Sequence, residues 1–155
     1  MAAVGERIRR LLPALWLGLL IALAAIATPA PFAEVAREVA GRINGRMLAQ
    51  EAWFSIAAAL LLWALERGRA QRAAAAGQGS VFSTEMVLLL ATLICTLLGF
   101  FAVQPLLPAA RAGQGAFSFG QLHAASVGCY AVKLLLVATL AWRAAAAPKP
   151  APAAG

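Results

Sequence analysis

The sequence predicts an all-α integral membrane protein: a four-helix bundle with both termini in the cytoplasm (N-in/C-in) and a short interfacial helix after the first span. The first observation is composition, since 63% of the 155 residues are hydrophobic and 12% are charged, against about 45–50% and about 25% in globular domains. The second is four long apolar runs, each close to the roughly 20 residues of a membrane-spanning helix. They use nearly all of the chain, which leaves no room for a soluble catalytic domain.

The first span is predicted over residues 11–30, inside an uncharged run from Leu11 to Ala33 that follows a basic cytoplasmic N-terminus of residues 1–10. A cleaved signal peptide is the competing interpretation, because such a peptide also begins with basic residues. We favour a retained span, since the run exceeds the apolar core of about 7–15 residues in a signal peptide and further spans follow.

The segment after the first span is predicted to be a short helix on the outer membrane surface. Within residues 31–43 apolar side chains recur at helical spacing, and Glu38 and Arg42 are placed to pair at i,i+4. An amphipathic pattern of this kind is typical of interfacial helices. Asn44-Gly45 then predicts a turn before the next span.

Three further spans complete a membrane domain of residues 11–143. The second span is the shortest, because Glu51 and Glu66 bound its uncharged core, and a full crossing takes Glu51 into the membrane edge. The Ala/Pro-rich tail is predicted to be disordered. The predicted segments are 47–65, 86–103 and 122–142 for the spans, 66–83 for a basic cytoplasmic loop and 144–155 for the tail.

The distribution of Lys and Arg predicts the orientation, because these residues are enriched in cytoplasmic loops near span ends. The two termini and the middle loop carry more of them than the other two loops do, which places both termini inside. The 13 basic residues are scattered between apolar runs, so we expect the lipid bilayer, and no nucleic acid, as their partner. The compared sets are Arg7, Arg9, Arg10, Arg67, Arg69, Arg72, Arg143 and Lys149 against Arg37, Arg42, Arg46 and Arg111.

A polar stripe runs along the fourth span and consists of His123, Ser126, Tyr130 and Lys133. At about 100° per residue these four side chains fall within an arc of roughly 80°, so the stripe is predicted to face the bundle interior. Lys133 lies about 15 Å along the helix from Leu122, close to the bilayer centre. A charge there costs at least about 2.5–3.5 kcal/mol.

Glu51 lies about one turn inside its span and therefore at nearly the depth of His123, with Gln104 close to the same depth. The sequence thus predicts a polar pocket between the second and fourth helices that opens outward. Two interpretations stay open. The pocket binds an ion, a small solute or a prosthetic group, with Lys133 extending it inward, or its residues satisfy one another through hydrogen bonds worth about 0.6–2 kcal/mol each.

His123 is the only histidine, which excludes a haem held by two histidines, or a three-histidine metal site, within one chain. A metal or haem site would therefore need Lys, Met, Cys or a partner chain. Cys95 and Cys129 lie in apolar runs without a CxxC motif and are interpreted as small packing residues. Neither a Gly-rich phosphate loop nor a nucleophile with its base and orienting group is recognisable, so no catalytic residue is predicted.

The two halves of the chain share a weak pattern. Thr28-Pro29 and Gln104-Pro105 each mark the end of a span, and Gly45 and Gly120 each open the span that follows. Two parallel copies of a helical hairpin would explain this pattern.

Several short motifs, in order along residues 11–143, resemble the transmembrane protein 205-like family, which is catalogued among bacteria as a domain of unknown function. The resemblance implies a four-helix protein of the bacterial inner membrane without an assigned activity. Pro31 and Lys133 depart from the family pattern. The motifs are Leu15-Trp16-Leu17-Gly18, Thr28-Pro29-Ala30-Pro31-Phe32, Ala40-Gly41-Arg42-Ile43-Asn44-Gly45-Arg46 before Glu51-Ala52-Trp53, and Phe119-Gly120-Gln121-Leu122-His123 before Ser126.

The leading hypothesis is a non-enzymatic multi-pass membrane protein without a cofactor. It would act in transport or through a partner, either a second copy of itself or another membrane protein. The alternative is a metal- or haem-binding membrane protein, with haem or copper held by a cluster around His123 and Glu51.

Overall fold

A computed structural model describes residues 2–146, and all regular elements in this range are helices. A π-helical turn, Leu23–Ala27, follows the first helix, and a second one, Leu98–Val103, followed by a 3₁₀ turn, Gln104–Leu106, follows the fourth. The α-helices are α1 Ala2–Ala22, α2 Ala30–Glu34, α3 Arg37–Ala75, α4 Thr84–Leu97, α5 Leu107–Arg111 and α6 Phe119–Ala145.

Four helical segments are long and apolar enough to cross a membrane, which confirms the predicted four-helix membrane architecture. They are Ala3–Glu34, Arg37–Ala75, Thr84–Arg111 and Phe119–Ala145, with mean hydropathies of 2.3, 1.5, 2.6 and 1.8 in their most apolar stretches. The lowest value belongs to the segment that contains Glu51, the charge that the sequence analysis places within the second span.

The four long helices form a ring in the order α1, α3, α4, α6, so that α3 and α6 are diagonal to each other. One end of the bundle, the termini end, carries the start of α1 and the end of α6; the other, the α5 end, carries α2 and α5. Lipid chains are as apolar as leucine, so such a bundle is held by packing and polar contacts more than by apolar burial. The core consists of Trp16, Leu20, Ala58, Ala59, Leu62, Leu89, Val137 and Leu140.

The structure overturns the predicted turn at Asn44-Gly45 and the interfacial helix over residues 31–43. Only the short α2, Ala30–Glu34, precedes α3, which runs through Asn44 without a break. Asn44 is buried, and its side-chain Nδ2 donates a hydrogen bond of 2.9 Å to the Thr28 carbonyl. Asn favours turns when its side chain bonds to the nearby backbone. Here a contact with the end of the first span replaces that local bond.

The predicted basic loop over residues 66–83 is also shorter than expected, because α3 continues to Ala75. Glu66 and Arg69 form an i,i+3 ion pair that supports the added helix. Gly77 has a φ of 71°, a left-handed conformation that favours glycine and ends helices. In the predicted tail, residues 144 and 145 belong to α6, while residues 147–155 lie outside the described range.

The two hairpins have the same construction. In each, a long helix passes into a π-helical turn that ends directly before Thr28-Pro29 or Gln104-Pro105, and a short helix then leads into another long helix. In both hairpins, buried residues of the first helix are separated by three and then by four positions. They are residues 13, 16 and 20 in α1 and residues 89, 92 and 96 in α4. This is the arrangement that two parallel copies of a hairpin produce.

The packed core predicts a difference between two neighbouring leucines of α4. Leu89 is 2% exposed and Leu90 is 41% exposed. We expect Leu89→Ala to lower the free energy of unfolding by about 2–4 kcal/mol, because it leaves a cavity among α1, α3 and α6. Leu90→Ala should cost less than about 0.5 kcal/mol. Unfolding in mixed micelles measures both; equal losses would contradict this core.

Candidate functional site

A buried ion pair lies at the centre of the bundle. The Nζ atom of Lys133 donates to both carboxylate oxygens of Glu51, at 2.8 and 2.7 Å. Both residues are 4% exposed. Lys133 is near the middle of α6, whose start is set by a capping box at Ser118. Because α3 and α6 are diagonal in the ring, the two long side chains meet across the bundle.

A hydrogen-bond chain from α1 completes the environment of Glu51. The indole N–H of Trp16 donates to Ser55 Oγ at 3.0 Å, and the Ser55 hydroxyl contacts Glu51 Oε1. An indole N–H can only donate, so the Ser55 oxygen accepts from Trp16 and its own proton points to Glu51. The carboxylate therefore receives hydrogen bonds from α3 and α6, supported from α1.

Tyr130 contacts Lys133 on the other side of the ion pair. Its ring lies 4.7 Å from Lys133 Nζ, a cation–π distance. Its hydroxyl donates to the Leu20 carbonyl at 2.9 Å, shortly before the π-helical turn of the first span. Tyr130 thus ties α6 to α1 at the depth of the ion pair.

A pocket of about 40 Å³ lies beside the ion pair, between α3, α4 and α6. It extends from Lys133 toward Leu48 and Gln104, that is, toward the α5 end. Within the described part of the chain, the side chains of Gln104 and Ser126 have no hydrogen-bond partner, so both present unused hydrogen-bonding groups to the pocket. Its polar lining includes Glu51, Cys95, Gln104, Ser126, Cys129 and Lys133.

The structure brings together five of the six predicted site residues and separates the sixth. Glu51, Tyr130 and Lys133 are in contact, and Gln104 and Ser126 line the same pocket. His123 is exposed and stacks on Phe119, with 5.7 Å between the ring centroids. His123 and Lys133 occupy opposite edges of the polar arc, about 80° apart. His123 also lies ten residues from Lys133, about 15 Å along the helix axis, so its ring does not reach the ion pair.

Sequence reasoning missed Trp16 and Ser55, and it interpreted both cysteines as packing residues. Ser55 follows Glu51 by one helical turn, so its position on the same face was recognisable. The contact of Trp16 with α3 depends on tertiary packing and has no local signal. In the described part of the chain, no group of three or more His, Cys, Asp or Glu residues is arranged to hold a metal ion.

A second ionic cluster closes the termini end. Glu66 is 2% exposed and pairs with Arg69 of its own helix and with Arg9 of α1, the latter at 3.8 Å. Glu85 at the start of α4 pairs with Arg143 at the end of α6, at 2.7 Å. All four long helices therefore contribute to this cluster.

A family comparison places most of the chain in a single family. The model of the domain of unknown function DUF4149 matches residues 11–116, a stretch that includes Glu51 and ends before α6. Neither the curated proteins nor the solved structures contain a match to the chain.

The ion pair predicts strong coupling between its two residues. Glu51→Gln and Lys133→Met should each destabilise the protein by about 3–5 kcal/mol, because each leaves one charge buried without a partner. The double variant should recover most of that loss. The more exposed Glu85–Arg143 pair serves as a control and should contribute no more than about 1 kcal/mol. A double-mutant cycle in mixed micelles measures both couplings, and additive losses at Glu51 and Lys133 would contradict the pairing.

Proposed function

We propose, for a chain that belongs to the DUF4149 family, a proton-linked role in membrane transport centred on the Glu51–Lys133 pair. The observation that carries the proposal is the ion pair itself, buried at mid-bundle beside a polar pocket. Ionisable residues within membrane spans are costly, and they commonly mark ion pathways and proton relays.

Stability alone is a weak reason to keep such a pair. Replacing a buried ion pair by packed apolar residues is often neutral or stabilising. The surroundings of this pair also favour a role in binding, because Gln104 and Ser126 offer hydrogen-bonding groups to the pocket that no described residue uses. A purely structural pair would need neither the pocket nor these groups.

The chemistry follows from the geometry. A proton that reaches Glu51 converts the carboxylate to a neutral acid and removes its attraction for Lys133, which keeps its own proton. The pair then carries one positive charge instead of none, and the link between the diagonal helices α3 and α6 weakens. Loss of the proton restores the pair. The bundle therefore has two arrangements, one with the ion pair and one without it. Their populations depend on the proton concentration.

The other titratable groups around the pair are few. In the described part of the chain, α4 contributes Cys95 to the pocket and α6 contributes Cys129 and Tyr130. The side of the pair that faces α1 holds the Trp16 indole and the Leu20 carbonyl, neither of which titrates. Glu51 and Lys133 face each other directly, with 2.7 Å between Oε2 and Nζ.

The proposal includes kinship with the transmembrane protein 205-like proteins, a bacterial inner-membrane location and cytoplasmic termini. The motifs around Trp16 and Glu51 support the kinship, and the excess of basic residues at the termini end supports the orientation. The exposed apolar faces of the helices fit lipid. A second copy or a membrane-protein partner could also pack there.

Reporter fusions test the orientation. We expect green fluorescent protein fused after Gly155 to fluoresce, and alkaline phosphatase inserted between residues 112 and 118 to be active, because the first folds in the cytoplasm and the second outside it. Alkaline phosphatase inserted between residues 76 and 83 is the control and should be inactive. The reverse pattern would contradict the N-in/C-in orientation.

Proton flux into liposomes tests the role. The purified protein is reconstituted with trapped pyranine, and a valinomycin-driven potassium potential provides the driving force. Wild-type vesicles should change internal pH faster than protein-free vesicles, and Glu51→Gln should abolish the difference because it removes the proton acceptor. Glu38→Gln, an exposed carboxylate of the same helix, is the matched control and should behave as wild type. Wild-type flux no faster than in protein-free vesicles would refute the proposal.

A further inference from the structure

We infer that the pocket beside Glu51 and Lys133 is a water-filled path that connects the ion pair to the aqueous phase at the α5 end and not at the termini end. The inference rests on the proposed function in that it supplies the route by which a proton reaches Glu51. It is a claim about water access, however, and it can be tested without measuring transport.

The size and lining of the pocket fit a short chain of waters. Its volume is about 40 Å³, and one buried water needs about 10–15 Å³ together with two to four polar partners. The pocket therefore has room for about three or four waters. Lys133 and Glu51 offer partners at the inner end, Ser126 and Gln104 farther out.

Gly99, in the π-helical turn that follows α4, keeps this path open. A Cβ atom added to Gly99 would lie 3.5 Å from Cys129 Cβ on α6. A one-carbon side chain would just touch its neighbour, so a larger one would occupy the pocket. The absence of a side chain at Gly99 thus leaves the space through which water reaches the ion pair.

Two layers of side chains separate the ion pair from the aqueous phase at the termini end. Leu62, Leu89 and Leu140 are each less than 5% exposed and separate the ion pair from the termini end. The ionic cluster of Glu66 and Arg9 lies beyond this apolar layer. Apolar layers of this kind exclude water because they offer it no hydrogen bond.

The chain carries its own reporters of water access. Its only two cysteines, Cys95 and Cys129, both line the pocket. Iodoacetamide reacts with the thiolate, whose sulfur displaces iodide to form a carbon–sulfur bond after the thiol proton has passed to water. A thiol surrounded by lipid or packed side chains stays protonated and unreactive. Alkylation of these cysteines therefore reports a wet pocket.

The experiment uses the full-length protein in oriented vesicles treated with iodoacetamide, with mass spectrometry of Cys95 and Cys129 as the readout. Glutathione, which does not cross the membrane, is placed on one side to consume the reagent there. We expect alkylation of both cysteines to fall at least about tenfold when glutathione is on the α5 side, and to be little changed when it is on the termini side. Unreactive thiols, or protection from the termini side, would overturn the inference.

Matched glycine substitutions provide the second arm. Gly99→Leu should fill the pocket and reduce alkylation at least about tenfold. Gly18→Leu, at an exposed glycine of α1 with open space around it, should leave it unchanged. If Gly99→Leu fails to fold, Ser126→Leu fills the same space from α6. Alkylation unaffected by filling the pocket would contradict the path.

The outcomes separate the two proposals. One-sided alkylation together with an absence of proton flux would keep the water path and refute the transport role. Proton flux together with unreactive cysteines would keep the transport role and refute this path.

Discussion

The contact between Glu51 and Lys133 is the constraint on which the rest of the structure depends. The two residues belong to different hairpins and to helices that are diagonal in the ring, so the contact links parts of the chain that backbone packing leaves apart. Both are long side chains, which lets them meet at the bundle axis. The apolar core of Trp16, Leu62, Leu89 and Val137 packs on the side of the pair that faces the termini end.

The contacts around the ion pair provide partners for both of its charged groups. Trp16 and Ser55 direct one hydrogen bond to the carboxylate, and Tyr130 covers the ammonium while binding a carbonyl of α1. A buried charge needs such partners, because the desolvation of an unpaired ion costs several kcal/mol. The same network leaves Gln104 and Ser126 unused on the pocket side. The polar groups of the site are therefore hydrogen-bonded on the α1 side, and Gln104 and Ser126 line the pocket on the other side.

The general fold was predictable from hydropathy, because a membrane requires about 20 apolar residues per helix whatever their tertiary contacts. The polar stripe also identified Lys133 correctly as an interior residue. The failures share a cause. Asn44-Gly45 forms no turn because Asn44 bonds to a distant carbonyl, and His123 lies outside the pocket and stacks on Phe119. Local sequence patterns do not encode these tertiary contacts, and they do not encode the contact between Trp16 and Ser55 either.

The account requires that Glu51 be ionised within the membrane, and infrared difference spectroscopy of the full-length protein in lipid vesicles tests this most directly. Spectra of wild type and Glu51→Gln are compared at neutral pH. The account predicts that the variant loses a carboxylate stretching band, since Lys133 and Ser55 both donate hydrogen bonds to the Glu51 oxygens. Loss of a protonated carboxyl band instead would show that the ion pair does not exist and would contradict the account.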